Sequence, residues 1–229
     1  MDCRFCVSVF ASAFNRGKAM CGRMNVIDDP NVRAFMDALG IPVYPKRNVD
    51  FRPTDKTLLL IPKGKDIEPA TMSWGIKPSW SKQLLINAKS ETISEKTTFK
   101  KAFEHHRALV VCSGWYEWKD EGRGDKKAKK QKYLVQHSLK QPMLMAAVCF
   151  TGPSFTRESN KEVNRESNNE RGQFVTLTTA PNEKLKQVHH RMPLIIHADE
   201  MDDWLLGDSQ QALQAVHPLQ DEEFQFEAC

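Results

Sequence analysis

Four short segments place a chemically capable side chain inside apolar or aromatic surroundings. They are MCGR at 20–23, INAK at 86–89, GWYEW at 114–118 and HHRMP at 189–193, and they offer Cys21, Asn87, Glu117 and His189. An aromatic strand is a costly place for a lone carboxylate. Alternation turns Glu117 away from Tyr116 and Trp118, either onto an exposed face or into a partly buried site that raises its pKa. Asn87 reads as a strand-end turn residue or as a polar group of a site. His189 reads as a structural histidine or an acid–base group. Cys112 and Cys149 lie in apolar runs and read as inert core thiols.

Cys21 differs because it follows a methionine and precedes a glycine. If translation starts at Met20, removal of that methionine makes Cys21 the first residue. An N-terminal cysteine carries an α-amine with a pKa of about 8 and a thiol of about 8.5 on neighbouring carbons. Such a pair captures an aldehyde in two steps. The amine forms a Schiff base, and the thiol then closes a five-membered thiazolidine. An internal cysteine cannot do this, because its nitrogen is tied up in an amide. Residues 1–19 are expected to be an extension or an over-extended start. Their short apolar stretch has no clear cleavage site, and Asp2 stands where a signal peptide is positively charged.

The chain that must position these groups has 229 residues, 40 % hydrophobic and 27 % charged, which excludes wholesale disorder and collagen-like repeats. It has no run of eighteen apolar residues, so no membrane helix is expected. Lys and Arg number 33 against 29 acids, a formal charge of +4 that permits a nucleic-acid partner without demonstrating one. Six irregularly spaced cysteines point to free thiols in a reducing cytoplasm. Cys3 and Cys6 form a lone CxxC with no second pair, so no metal site and no cofactor are expected.

Periodicity predicts helices over 31–39, 198–206 and 209–216, the first capped by Asp28 or Asp29 and ended by Gly40. Apolar runs predict strands over 57–61, ending at Pro62, and over 70–74, 84–88, 108–112, 114–118, 133–137, 142–150 and 174–179. Two polar stretches, 120–132 and 153–173, read as a Lys-rich hairpin loop and a surface insertion. Similar strands on both sides of each point to one α+β domain. A curved, barrel-like, mainly antiparallel sheet with peripheral helices is the expected architecture, spanning 20–229.

Taken in order, MCGR, WGIKPSW, INAKSET, GWYEW and HHRMP resemble the SOS-response-associated peptidase (SRAP) family of abasic-site processing proteins. The likeness runs from about Met20 to Leu206. It implies recognition of abasic sites in single-stranded DNA, a covalent crosslink through the N-terminal cysteine that shields the lesion, and associated lyase and autoproteolytic activity. Carried over, Cys21 is the nucleophile and Asn87 holds the amine and the opened sugar. Glu117 shuttles protons, and His189 is the acid–base partner near the 3′ phosphate. Arg23, Lys89 and Arg191 match phosphate-contacting positions, Pro53 a proline lining the DNA cleft, and Trp80 a residue able to stack on a base. A monomer acting on DNA in the cytoplasm is expected, with replication-fork proteins as further partners left unread.

Three features depart from the family pattern. Lys89 replaces a frequent arginine, Asp50 replaces an asparagine and adds negative charge near Pro53, and the acidic tail 221–229 replaces an Asn- and Gly-rich segment. Two other functions fit some of the same residues. One is a thiol peptidase or amidohydrolase using Cys21, His189 and Asn87. The other is a noncovalent single-strand DNA-binding relic.

Overall fold

The computed structural model describes residues 21–120, 130–150 and 172–229. The CxxC, the N-terminal extension and most of the two polar stretches lie outside these residues. The strands are β1 (Met24–Val26), β2 (Asn48–Phe51), β3 (Lys56–Lys63), β4 (Asp66–Trp74), β5 (Asn87–Lys89), β6 (Arg107–Cys112), β7 (Gly114–Asp120), β8 (Lys130–His137), β9 (Met143–Phe150), β10 (Gln173–Thr179), β11 (Met192–Pro193), β12 (Ile195–Ile196) and β13 (Phe224–Ala228). The helices are α1 (Pro30–Ala38), α2 (Lys100–His105), α3 (Glu183–Lys186), α4 (Met201–Leu205) and α5 (Ser209–Gln214). The protein is α+β, as its strand-rich pattern predicts.

Strand pairing explains the curvature. β4, β3, β6, β9 and β10 pair in that order, and β10 returns to β4, so five strands join in a ring. All of these contacts are antiparallel except β10 with β4. β5 adds to β10 in parallel, which sets Asn87 opposite Thr176 and Lys89 opposite Thr178. A second antiparallel sheet runs β13–β8–β7–β1–β2.

The ring is buried on both faces, which is why β6 (RALVVC) and β9 (MLMAAVCF) read as unbroken apolar runs. Leu58, Leu60, Leu109, Val111, Leu144 and Ala146 face one way, against apolar residues of α1, α2, α4 and α5. Leu59, Val110, Met145 and Ala147 face the other way, against β1, β2, β7 and β8. Strand alternation therefore divides one core into a helix-covered half and a sheet-covered half.

Several expectations need correction. β3 does not stop at Pro62 but runs on to Lys63, because β6 pairs only with Leu59 and Leu60 and leaves Pro62 on a free edge where a missing N–H costs nothing. The run 84–88 is not one strand. Leu85 makes an isolated bridge to Ile76, and β5 begins only at Asn87, so Asn87 is a strand residue and not a turn. The helix over 198–206 divides into a 3-10 turn, Ala198–Glu200, followed by α4. The acidic tail is a structural element, since β13 pairs with β8 from Phe224 to Ala228. α1 follows its sequence signals: Asp29 accepts from the Val32 N–H at 2.9 Å, Pro30 opens the helix and Gly40 has φ +71°.

Candidate functional site

The GWYEW segment forms β7, and its geometry rests on Gly114. A Cβ there would lie 2.2 Å from the Val135 carbonyl oxygen on β8, so no side chain fits. β7 pairs with β1, and the Tyr116 N–H donates to the Arg23 carbonyl at 3.0 Å. This pairing carries the chain just before β1 along β7, and Cys21 arrives at Glu117.

The Cys21 thiol donates to Glu117 Oε1 at 2.8 Å, and both residues are 3 % exposed. Burial pushes the Glu117 pKa up to about 7, against the opposing pull of the Cys21 thiol and of the Cys21 backbone. Burial, then the Glu117 charge, raises the Cys21 thiol well above its ordinary value, and the positive charge of Arg191 works the other way. At neutral pH the pair is a thiol and a carboxyl poised between its two states. Cys21 also has φ +41°, a left-handed conformation in a residue with a Cβ.

Arg191 joins this pair to the ring. It is 9 % exposed and forms a two-pronged ion pair with Glu91, with Nη2 2.7 Å from Oε2. Nη2 also donates to the Thr178 carbonyl on β10 at 2.6 Å. Its Nε is buried and has no hydrogen-bond partner among the described residues. Next door on β10, Thr176 Oγ1 donates to Asn87 Oδ1 at 2.5 Å. His189 follows α3, and its backbone N–H donates to Leu185 at 2.9 Å. The His189 Nδ1 lies 3.2 Å from both the nitrogen and the carbonyl oxygen of Arg191, which pins the ring, and the ring lies tilted against His190 with centroids 4.4 Å apart. Cys21, Glu117, Arg191 and His189 thus form one linked series, with Asn87 and Lys89 on the strand paired to β10.

The remaining predicted residues are placed as follows. Trp80 is 67 % exposed. Pro53 is half-buried in the Arg52–Asp55 turn, closed by an Asp55 N–H bond to the Arg52 carbonyl at 3.0 Å. Among the described residues, neither Trp80 nor Pro53 joins Cys21, Glu117, Arg191 or His189 through a hydrogen bond. Lys89 is exposed. Arg23 lies over the Trp118 ring at 5.8 Å and forms an ion pair with Asp50, which also accepts from Arg52 Nε at 2.9 Å. The two arginines hold the Asp50 carboxyl below its usual pKa. The negative charge introduced by Asp50 is therefore held between two cations.

Sequence reasoning missed three partners. Glu91 lies inside the quoted INAKSET segment, but nothing local marks it as the partner of an arginine 100 residues away. Thr176 and Thr178 alternate along FVTLTT on one face of β10, so period-two polarity in an apolar strand was available to read.

The fold that carries this site has structural counterparts. A phage-related protein from Bordetella bronchiseptica superposes with a TM-score of 0.68, at 24 % sequence identity over 91 % of this chain and 94 % of its own. A second protein from Bordetella bronchiseptica gives 0.70 at 17 % identity, over 91 % and 99 %. These likenesses concern the fold.

The chain belongs to the SOS response associated peptidase (SRAP) family, whose sequence model matches residues 20–229. The abasic site processing protein YedK of Escherichia coli is 32 % identical over 154 residues, which is 67 % of this chain and 62 % of that protein. The abasic site processing protein YoqW of Bacillus subtilis is 29 % identical over 81 % of this chain and 80 % of its own.

Proposed function

We propose that this protein recognises abasic sites in single-stranded DNA and crosslinks to them covalently through Cys21 as a thiazolidine, after residues 1–20 are removed. The observation that carries the reading is the contact of the buried Glu117 carboxylate with the Cys21 thiol, Sγ to Oε1 at 2.8 Å. The Cys21 nitrogen becomes the α-amine once the bond before Cys21 is cut. The φ +41° of Cys21 is a torsion that exists only while residue 20 is attached. Cutting there abolishes a left-handed conformation that costs about 1–3 kcal/mol, which favours the processed form.

An abasic deoxyribose opens to an aldehyde. The Cys21 amine adds to its C1′ carbon, and Glu117 in its protonated state gives a proton to the departing hydroxyl, so water leaves and an iminium remains. Glu117, now ionised, takes the thiol proton while Sγ bonds to the same carbon. One C–N and one C–S bond form, and one water is released. A carboxyl with a pKa of about 7 serves both proton transfers at neutral pH. From the same iminium, loss of a C2′ proton expels the 3′ phosphate, which is the lyase outcome, and ring closure by the thiol diverts it. Asn87 holds the amine and sugar, and His189 is the acid–base group toward the phosphate.

Arg23, Lys89 and Arg191 supply positive charge to the DNA backbone. Pro53 lines the path of the strand. Trp80 stacks on a base next to the lesion, and such stacking contributes about 1–3 kcal/mol. Papain-like use of Cys21 with His189 is not supported by the geometry, because the thiol bonds to Glu117.

The test uses protein beginning at Cys21 and an oligonucleotide with one abasic site. A heat-stable, gel-shifted adduct is expected. Cys21→Ser gives at most a labile imine, and Cys21→Ala keeps lyase activity through its amine. The 229-residue form gives an adduct only after processing. A stable adduct in Cys21→Ala would overturn the proposal.

A further inference from the structure

Outside the Cys21 site, two histidines and a glutamate converge from two places in the chain. His197 precedes the 3-10 turn, Glu200 ends that turn, and His217 follows α5. One ligand atom from each lies within 4.8 Å of the others, and all three residues are half-buried. His217 Nε2 is 2.9 Å and 3.1 Å from the two Glu200 oxygens. A tetrahedral ion with bonds of about 2.0–2.1 Å sets its ligands roughly 3.3 Å apart. The His217–Glu200 edge is already near that length, and bringing in His197 needs a shift of at most about 1.5 Å.

We propose that His197, Glu200 and His217 form a binding site for a divalent transition metal of the zinc class, with solvent in the fourth position.

Independent support comes from how the two rings are held. Metal-binding imidazoles commonly give their second nitrogen to a carboxylate or a backbone carbonyl, which fixes tautomer and direction. His197 Nδ1 lies 3.3 Å from Glu223 Oε1. The two rings stack at 5.2 Å with planes 25° apart, an arrangement that puts two imidazole edges side by side. Two imidazoles and a carboxylate suit Zn²⁺ better than a hard, all-oxygen cation such as Mg²⁺. Entry is open, because His197 and Glu223 stand in the wall of an accessible cavity of about 360 Å³ that also contains His137 and Leu219. The spacing of 197, 200 and 217 follows no familiar metal motif, so the site is not legible before folding.

The test is Zn²⁺ titration of the full chain against a chromogenic chelator, in a Cys3→Ser, Cys6→Ser background that removes competing thiols. One Zn²⁺ per chain is expected. His197→Ala and His217→Ala should each lose at least tenfold in affinity, and Glu223→Gln, which touches only the orienting partner, about tenfold. The milder Glu200→Gln guards against misfolding. Its melting temperature without metal should match that of the parent, while the rise that Zn²⁺ gives the parent is lost. Equal Zn²⁺ affinity in the parent, His197→Ala, Glu200→Gln and His217→Ala overturns the site, as does the absence of any saturable Zn²⁺ binding by the parent.

Discussion

Among the described residues, three cysteines are buried: Cys21 at the head of the domain and Cys112 and Cys149 in the ring. Burial alone does not separate them. Cys112 and Cys149 lie among aliphatic side chains, and desolvation pushes both thiols up to about 12, where neither ionises at physiological pH. Cys21 is equally dry but faces a carboxylate at 2.8 Å and the charge of Arg191. The difference teaches that a buried thiol becomes useful only when a base shares its cavity. Here that base is itself tuned, because the same desolvation that silences Cys112 lifts Glu117 to about 7.

The comparison breaks most visibly at the sulfur. In protein trimmed to Cys21, Cys21→Ser should abolish the heat-stable DNA adduct, while Cys112→Ala and Cys149→Ala should keep it, as read on denaturing gels. Loss of the adduct in Cys112→Ala with an intact fold would erase the distinction.

Glu117→Gln should slow adduct formation by about 100-fold or more, the usual worth of a positioned acid–base group. In single-turnover rates against pH, the inflection near 7 should vanish with it. The same carboxyl makes a stability prediction. Its folded pKa lies above its unfolded value of 4.5, so its contribution is complete below 4.5 and is lost as pH rises through about 7. The loss amounts to about 3 kcal/mol. Denaturation midpoints at pH 5 and pH 8 should therefore converge in Glu117→Gln relative to the parent.

Trp80→Ala sharpens the contrast between buried chemistry and exposed recognition. Single-strand affinity should fall by about 1–3 kcal/mol with the melting temperature unchanged, since the side chain is 67 % exposed. The smallest effect is expected for Asp50→Asn. Releasing Arg23 and Arg52 should tighten single-strand binding and steepen its salt dependence by about one counterion. Fluorescence anisotropy across a salt series reads both.

The ring was largely legible because both of its faces are buried. β6 and β9 need no pattern beyond continuous hydrophobicity, and α1 carries its cap and its stop in the sequence. β1, β2 and β13 were not legible. They have three to five residues each, and pairing with distant strands holds them in place more than any local preference does. α2, with six residues and no side-chain cap, gave no start signal. Within the site, the chemical residues could be named because each motif places one odd polar group in apolar company. Their partners could not, since Arg191 with Glu91 and Asp50 with Arg23 and Arg52 are settled by folding. The cluster of His197, Glu200 and His217 was invisible for the same reason.

The most direct measurement is the intact mass of protein beginning at Cys21 after incubation with a single-stranded abasic oligonucleotide, followed by proteolytic mapping of the linkage. The account predicts the sum of the two masses less one water, with the DNA on the peptide that starts at Cys21. A linkage mapped to an internal lysine, or unmodified protein alongside intact abasic DNA, would contradict it.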